Sequence, residues 1–494
     1  MVEFSLPRGT MDFLPDEMVQ RRYVEEIVRK TFESFGFQEV QTPIFEEFAL
    51  LAARSGEEIR EGMFTFVSDG VEYGLRPELT AAVCRMIVTG KLDMPKPYKF
   101  YYFGPCFRYE EPQAGRYRQF WQAGIELMGS TSPVADAEVI TVGAKTLENA
   151  GVTGYVLKVG NIGIFRGILE DAGFDIEDQN RIIGNIDSIM STREKCIYIS
   201  GKKELEADDE NYVKTYLSML YDLQMGLISE GMDVVFGDYE ILPSALGELP
   251  QWVKKLPEAM EKTYKEIWMM DGIPEETVDL LLKVSRIRGP RNKVMSTAKE
   301  LLQGTAVEKS LEELEEVLTY LEAFGIKKYE VVLGVARGLD FYTGTVFEFD
   351  FPLLGAQKQV CGGGRYDRLV EEFGGQPTPA TGYAFGFDRI VLSRLLVKEI
   401  PIPKKVDVFI ALVNESLNTR GIEISQTLRE KEFKVEIEMT GRDLKGQLGY
   451  ASAVARYVII LGPKELKEGK VMVKNLETEE QTPVPIDDIA NALR

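Results

Sequence analysis

A predicted β-hairpin in the first third of the chain constrains its fold more than any other feature. The first arm is an apolar and aromatic run from Phe100 to Phe107, and the second arm passes through Phe120 and Trp121. Residues 113–115 read Gln-Ala-Gly and interrupt the pattern, as a loop does. The chain is therefore expected to be built around an antiparallel sheet.

Charged side chains follow the first arm of this hairpin. Arg108 and Glu110 alternate with Phe107 and Tyr109, so at the two-residue period of a strand we expect the charged pair on one face. A guanidinium binds phosphate oxygens and a carboxylate accepts hydrogen bonds from amino groups. This pattern favours a ligand that carries a phosphate and a base, although a surface hairpin with an ordinary ion pair fits it too.

Five segments of the chain resemble motifs of one family and follow one another in the order that the family has. Residues 104–126, GPCFRYEEPQAGRYRQFWQAGIE, resemble motif 2 of the class II aminoacyl-tRNA synthetases, and the run EPQAGRYRQF narrows the resemblance to the histidyl-tRNA synthetases. RGLDFYTGTVFE from Arg337 and CGGGRYD from Cys361 resemble that family's two histidine-specific motifs. GYAFGFDRI from Gly382 is similar to motif 3, and LRPELTAA from Leu75 resembles the amino-acid-binding segment.

Length and composition fit a large enzyme. With 494 residues, 44% of them hydrophobic, the chain is expected to form two to four domains at about one per 150 residues. No apolar run approaches the roughly 20 residues that span a membrane, and the first residues lack a basic and then apolar signal, so a cytoplasmic location is expected. The four cysteines show no CxxC spacing and are predicted to be reduced core thiols, with no metal site.

The chain contains no histidine. This excludes a Ser-His-Asp triad, a histidine metal ligand and a histidine general base, and leaves the chemistry to Arg, Glu, Tyr and backbone groups. Activation of an amino acid by positioning and charge stabilisation fits that restriction. An enzyme that charges histidine but contains none could also be translated when charged tRNA runs out. Chance, biased composition and engineering are the alternative explanations.

The net charge of −21 argues at first against a nucleic-acid partner, because phosphate binding needs Lys and Arg. Most of the acidity, however, lies in residues 161–330, and residues 404–494 are nearly neutral. Local patches decide contacts, whereas overall charge mainly sets solubility and steering. The expectation of a tRNA partner therefore depends on the resemblance and not on composition.

The resemblance implies an α+β fold with a class II antiparallel sheet core flanked by helices. Residues 1–164 and 326–399 are predicted to form this catalytic domain. The helix predicted over Asp16–Phe35 and the extended segment to Pro43 resemble motif 1, which implies a homodimer, although an ordinary core helix and strand would look the same.

Residues 165–325 are predicted to form a mostly helical, acidic insertion. LEELEEVLTYLEAF near its end has apolar residues at helical spacing and glutamates on the other face, which indicates a solvated helix. In the family an inserted domain here reaches over the tRNA acceptor arm. The dense basic cluster of Arg286, Arg288, Arg291 and Lys293 is a candidate RNA contact.

A proline-containing linker, IPIPKKVD, precedes the last predicted domain, residues 404–494. Strands and helices alternate from VDVFIAL to YVIILG, followed by a strand KVMVKNL and a closing helix, which indicates a small α/β domain. It resembles the anticodon-binding domain shared by the histidyl, glycyl, prolyl and threonyl synthetases.

The resemblance also implies roles for individual residues. Arg337 and Arg108 would act on the α-phosphate of ATP, and Gln113 would contact the tRNA acceptor end. No protein-held metal is implied, and Mg²⁺ would come with ATP. The implied ATP-binding residues are Arg108, Glu110, Arg116, Phe120 and Arg389. The implied histidine-binding residues are Glu78, Leu79, Thr80, Arg108, Gln122, Glu126, Arg337, Phe341 and Tyr342.

The implied activity joins L-histidine to ATP, releases pyrophosphate and transfers histidine to the 3′ end of tRNA(His). The chain departs from bacterial members at Tyr109, Trp121, Leu79 and Glu111, which suggests an archaeal-type enzyme and leaves acceptor-end recognition open. The alternatives are a catalytically silent, histidine-sensing paralogue that regulates ATP phosphoribosyltransferase, or a sister synthetase for proline, threonine or glycine. The retained arginines and the last domain disfavour the first alternative, and RGLDFY with GGGRYD disfavours the second.

Overall fold

The computed structural model describes residues 4–53, 60, 62–90, 92, 94–109, 116–202, 206–229, 241, 249–305, 307–335 and 341–493. It forms two compact units, Met1–Ile400 and Pro401–Arg494. None of the helices within these ranges combines the length and apolar character needed to cross a membrane.

A large sheet organises the first unit. In the described part of the chain it has nine strands: β1 (Gln38–Glu39), β5 (Tyr98–Phe107), β6 (Gln119–Met128), β12 (Ala380–Gly386), β11 (Gln359–Arg365), β10 (Thr345–Asp350), β7 (Val156–Asn161), β9 (Glu330–Val332) and β8 (Arg288–Gly289), in that spatial order. The pairings from β5 through to β7 are antiparallel, while β1 pairs with β5, and β9 with β7, in parallel.

The predicted hairpin is the pair of β5 and β6. Tyr98 lies opposite Met128 and Phe107 opposite Gln119, so ten residues of each strand are in register. β5 ends at Phe107, and Arg108 follows it with its backbone N–H still bonded to the Arg118 carbonyl. The predicted alternation of Arg108 and Glu110 with Phe107 and Tyr109 therefore falls at and beyond the end of the strand, and Glu110 lies outside the described residues.

Helices cover the main sheet. The first, Pro15–Ser34, begins and ends within one residue of the predicted limits and buries Val24, Val28 and Phe32. It packs with the helix Pro133–Asn149, which lies on the sheet face formed by the rings of Phe349 and Tyr383. The helices Thr80–Thr89 and Leu369–Glu372 pack against each other, and Phe387–Val397 packs against β6 and Pro15–Ser34.

Between β7 and β9 the described chain is mostly helical, as predicted. The helices are Gly163–Asp171, Ile176–Ser200, Ala207–Ser229, Leu249–Met270, Glu275–Ser285, Arg291–Leu301 and Glu308–Ala323. The last of them buries Leu311, Leu314, Val317, Leu318 and Leu321 against the helix Pro133–Asn149, and β8 joins the main sheet. The helical region is thus continuous with the sheet, and the limits 1–164, 165–325 and 326–399 stay predictions.

The predicted basic cluster is largely paired with carboxylates. Arg286 bonds to Glu261, Arg288 to Glu194 and Glu330, and Arg291 to Glu322. These contacts neutralise much of the charge that an RNA contact would use. The RNA contact stays a prediction.

A small sheet lies near the start of the unit. β2 (Phe45–Glu47), β4 (Val71–Leu75) and β3 (Thr65–Ser68) are antiparallel, and the short helix Phe48–Ala52 follows β2. The rings of Phe45, Phe66 and Tyr73 contact one another on this sheet. Phe45, Phe66 and Val67 are exposed, so the sheet presents an apolar surface.

The second unit is a five-stranded sheet with helices. The strands are ordered β14 (Val435–Ile437), β13 (Val406–Leu412), β15 (Ala455–Leu461), β16 (Lys470–Asn475) and β17 (Gln481–Pro485). The helices are Asn418–Arg429, Leu444–Val454, Pro463–Lys467 and Ile489–Ala492. The predicted alternation is present, and β17 is an additional strand that the sequence did not indicate.

Candidate active site

A polar cleft of about 350 Å³ opens on the main sheet of the first unit. Its walls come from the end of the hairpin, from β11 and β12 and from the start of two helices. The lining residues are Glu78, Thr80, Arg108, Arg116, Tyr117, Phe120, Gln122, Phe341, Tyr342, Gln359, Val360, Cys361, Gly362, Tyr366, Gly382, Tyr383, Ala384, Gly386, Asp388 and Arg389.

Glu78 forms one acidic corner of the cleft. It precedes the helix Thr80–Thr89, and its carboxylate accepts hydrogen bonds from the backbone N–H groups of Thr80 and Ala81 (3.0 Å for Ala81). These bonds satisfy donors at the helix N-terminus that have no partner within the helix. Burial raises the pKa of Glu78, and the two backbone bonds and Arg108 oppose that rise. The corner can accept a cation such as an ammonium group.

Glu126 on β6 lies directly behind this corner and is completely buried. Three hydroxyl groups hold its carboxylate: Thr80 at 2.7 Å, Tyr102 at 3.1 Å, and Tyr366 through a short bond. Burial raises its pKa to about 8, against the lowering effect of the Tyr366 and Thr80 bonds, and the charge of Glu78 raises it further. A group that can lose its proton near neutral pH is thus fixed in position beside the cleft.

Gly382 on β12 provides the space for this carboxylate. It is the cross-strand partner of Glu126, and a Cβ atom at this position would overlap Glu126 Oε2 and the Ile125 carbonyl oxygen. Glycine is therefore required at this close approach of the two strands.

Arginine side chains form the other part of the cleft. Arg108 donates from Nε to the Pro77 carbonyl at 3.0 Å, and its guanidinium lies 5.3 Å from the centre of the Phe120 ring. Arg116 lines the cleft beside them. Guanidinium groups next to an aromatic face can hold phosphate oxygens and stack a planar base.

Arg389 lies in the first turn of the helix Phe387–Val397, where the sequence predicted it close to a helix start. It donates to the Gln359 carbonyl at 2.6 Å. The preceding residue, Asp388, is buried and bonds to Arg21 at 2.6 Å and to the backbone N–H of Trp121 at 2.8 Å. The helix N-terminus adds a favourable dipole for anions to this arginine.

The structure brings most of the predicted site residues together. Glu78, Thr80, Arg108, Arg116, Phe120, Gln122, Phe341, Tyr342 and Arg389 line the cleft, and Glu126 lies behind it. Leu79 is buried in the core and does not line the cleft. Arg337, Glu110 and Gln113 lie outside the described residues.

Some cleft residues were not singled out from the sequence. Tyr117, Tyr366 and Asp388 lie within recognised motifs but had no role assigned, and Gln359 had no local signal. Their importance depends on partners far along the chain, such as Glu126 for Tyr366. Among the described residues, no group of three or more acidic or cysteine side chains is arranged to hold a metal ion.

Comparison with known proteins identifies relatives over the full length. A family model described as histidyl-tRNA synthetase matches residues 9–189 and 194–390, and an anticodon binding domain model matches residues 407–494. The histidine–tRNA ligase of Methanocaldococcus jannaschii is 36% identical over 494 residues, covering 99% of this chain and all of the relative. That of Archaeoglobus fulgidus is 37% identical over 496 residues, covering both chains fully.

Solved structures share the fold. The apo S. aureus histidyl-tRNA synthetase has a TM-score of 0.63 at 24% identity, with full coverage of both chains. An ATP phosphoribosyltransferase regulatory subunit/histidyl-tRNA synthetase from Bacillus halodurans has a TM-score of 0.65 at 19% identity, covering 94% of this chain and all of the other. The expected fold class and the archaeal resemblance are confirmed. The chain belongs to the histidyl-tRNA synthetase family.

Proposed function

We propose that this protein activates L-histidine with ATP to give histidyl-adenylate and pyrophosphate, and then transfers histidine to the 3′ end of tRNA(His). The observation that carries the proposal is the division of the cleft into an acidic corner and an arginine-lined part. The ammonium and imidazole groups of histidine fit the first part, and an anionic nucleotide fits the second.

Histidine would bind at the acidic corner. Its ammonium group would meet Glu78 and Thr80, and its imidazole would reach Glu126 beside Phe341 and Tyr342. A site whose buried polar groups need partners rejects apolar analogues strongly, because those groups would be left unpaired. Gln122 and Arg108 would lie near the carboxylate of histidine, which is the attacking nucleophile.

ATP would occupy the arginine-lined part. Arg108 would hold the α-phosphate, Phe120 would stack on the adenine, and Arg389 would hold the γ-phosphate with help from the helix N-terminus. Arg116 and Glu110 would close over the base, and Mg²⁺ would enter as the complex with ATP. The carboxylate attacks the α-phosphorus in line, and Arg108 and Arg337 stabilise the charge on its non-bridging oxygens as pyrophosphate leaves.

The tRNA would contact both units. Gln113 would meet the acceptor end, and the second unit would bind the anticodon, as the match of residues 407–494 to an anticodon binding domain supports. The terminal adenosine would take the histidyl group on its 3′-hydroxyl. A cytoplasmic location fits this role.

The active form would be a homodimer. The segment resembling motif 1 includes the helix Pro15–Ser34, and the exposed residues Phe45, Phe66 and Val67 of the small sheet give an apolar surface of the kind that interfaces cover. Light scattering of the purified protein tests this part, because a single species with the mass of one chain would contradict it.

The test of the activity is ATP–pyrophosphate exchange across all twenty amino acids, with Arg337→Ala as the matched variant. Exchange that needs histidine and is lost in the variant is the expected result. Exchange with proline, threonine or glycine would favour a sister synthetase.

The regulatory alternative has one specific point in its favour, since a similar fold occurs in a protein described as an ATP phosphoribosyltransferase regulatory subunit/histidyl-tRNA synthetase. Histidine binding by calorimetry without any exchange would favour this alternative and overturn the proposed activity.

A further inference from the structure

A cluster of ion pairs lies beside the cleft, centred on the buried side chains of Lys158 and Asp350. This lysine on β7 is only 5% exposed. Its ammonium group lies 2.8 Å from Glu194, 3.1 Å from Asp350 and 3.6 Å from Glu348. Lys358 bonds to two of the same carboxylates, Glu194 at 2.8 Å and Asp350 at 3.3 Å.

The register of the main sheet assembles this cluster. Glu348 on β10 lies directly opposite Lys158 on β7, and Asp350 is two residues further along the same strand. Side chains two residues apart point to the same face. On the other face, Phe347 and Phe349 are completely buried and contact each other. The sheet therefore places the charged residues on the face opposite the aromatic core.

A hydrogen bond joins this cluster to the cleft. Gln359 on β11 donates from Nε2 to Glu348 Oε1 at 2.9 Å. The backbone carbonyl of the same Gln359 accepts from Arg389 at 2.6 Å. One residue thus contacts the ion cluster through its side chain and the cleft arginine through its backbone.

Glu194 extends the cluster to the helical region. It lies on the helix Ile176–Ser200 and bonds to Arg288 at 3.0 Å, which in turn pairs with Glu330. Although burial opposes the change, Lys158 and Lys358 lower the pKa of Glu194 to about 2. Three cations therefore meet one carboxylate that stays ionised at neutral pH.

The centre of this cluster restrains its neighbours. Lys158 and Asp350 are both buried, so removing either one would leave an uncompensated charge. The charges around Glu348 hold the side chain of Gln359, and its backbone pairs with Asp350 next to the register shift of β10 and β11. The Gln359 carbonyl is then a fixed acceptor for Arg389.

We propose that Gln359 is a positioning residue, held by the ion cluster around Lys158, which orients the Arg389 guanidinium for ATP. This inference rests on the proposed function, because it takes Arg389 to be a phosphate-binding group. It also makes the helix Ile176–Ser200 part of the support of the ATP site.

The main variant is Gln359→Ala, which removes the side-chain bond to Glu348 and keeps the backbone carbonyl. Loss of one hydrogen bond to a charged partner is expected to raise the KM for ATP in pyrophosphate exchange by about three- to tenfold. The KM for histidine should stay unchanged, since the acidic corner is untouched. Glu194→Gln should change the KM for ATP in the same direction by a smaller factor.

The matched control is Gln224→Ala. Gln224 is also a buried glutamine, and it bonds to Thr263 and to the Ile241 N–H within the helical region. The Gln224→Ala variant should have a lower melting temperature but an unchanged KM for ATP. A purely structural role for Gln359 would give the same pattern as this control.

Repeating Gln359→Ala in an Arg389→Ala background decides whether it acts through the arginine. The proposal expects no further increase in the KM for ATP there, because the group to be positioned is gone. An equal increase in both backgrounds, or an unchanged KM in the single variant, would overturn the proposal. An effect of Gln359→Ala with none of Glu194→Gln would overturn the role of the cluster.

Failure of the proposed function would look different, since the unaltered protein would then show no histidine-dependent exchange.

Discussion

Replacing the buried Glu126 by its neutral isostere, in Glu126→Gln, should make the folding stability of the protein less sensitive to rising pH. The pKa of Glu126 is raised by burial from 4.5 to about 8. Between pH 4.5 and about pH 8 this carboxyl group keeps its proton in the folded state but loses it in the unfolded state. The folding stability therefore falls as the pH rises through this range. The stabilisation that protonated Glu126 provides is fully present below about pH 4.5 and is lost above about pH 8.

The size of the effect follows from the shift. At about 1.36 kcal/mol per unit, the free energy of unfolding of the unaltered protein should fall by about 3 kcal/mol relative to Glu126→Gln between about pH 5.5 and pH 8. With an unfolding entropy of about 2.1 cal/mol/K per residue over about 400 residues, the gap in melting temperature should widen by about 4 °C. The residue is completely buried, so solvent does not screen the effect.

Tryptophan fluorescence is the appropriate readout. The three tryptophans of the chain, Trp121, Trp252 and Trp268, all belong to the first unit, so the signal follows the unit that contains Glu126. Melting curves of both proteins across the pH range give the gap, and the exposed Glu316→Gln is the matched control. The test is how the difference in melting temperature changes with pH. Imperfect hydrogen bonds of the new amide group shift this difference by the same amount at every pH. A gap that is independent of pH would refute the reasoning.

Three further outcomes are expected. Gly382→Ala should reduce histidine-dependent exchange at least about tenfold and lower the melting temperature, because the new Cβ overlaps the buried carboxylate of Glu126. The control is Gly184→Ala, whose Cβ meets no atom. It should leave the stability unchanged or raise it by up to about 1 kcal/mol. Arg21→Met should destabilise the first unit by about 3–5 kcal/mol, since it leaves the buried carboxylate of Asp388 without a cationic partner. A denaturant titration measures this, with the exposed neighbour Arg22→Met as the control, and equal stabilities of the two variants would contradict the prediction. Under histidine starvation the protein should be synthesised faster than a variant given several surface histidines, measured by pulse labelling, and equal rates would show that the absence of histidine has no such effect.

The sequence predicted the parts of the fold that local periodicity determines. The apolar run of β5 reflects a strand buried in the middle of the sheet, and the helical spacing of Pro15–Ser34 arises because the helix buries one face. Motif resemblance then placed Glu78, Arg108 and Arg389 in one cleft. Their roles stay predictions, as do the predicted domain limits.

What the sequence did not indicate depends on distant partners. β17 reads QTPVP, and two prolines within five residues argue against a strand, yet an edge strand tolerates proline because its outward N–H groups need no partner. The pairing of Lys158 with Glu194 and the bond of Tyr366 to Glu126 join residues 36 and 240 positions apart. No local pattern reports such contacts.

The strand order of the main sheet has a consequence for synthesis of the chain. β6 and β7 are made early, but β12, β11 and β10 lie between them and are made after the whole helical region. A growing chain that ends before residue 345 therefore leaves the edges of β6 and β7 open, and unpaired edges are sites of aggregation. Contacts between such distant segments also form slowly. The centre of the sheet, and with it the cleft, is completed last, so nascent chains stay inactive and vulnerable until the ribosome has passed β12.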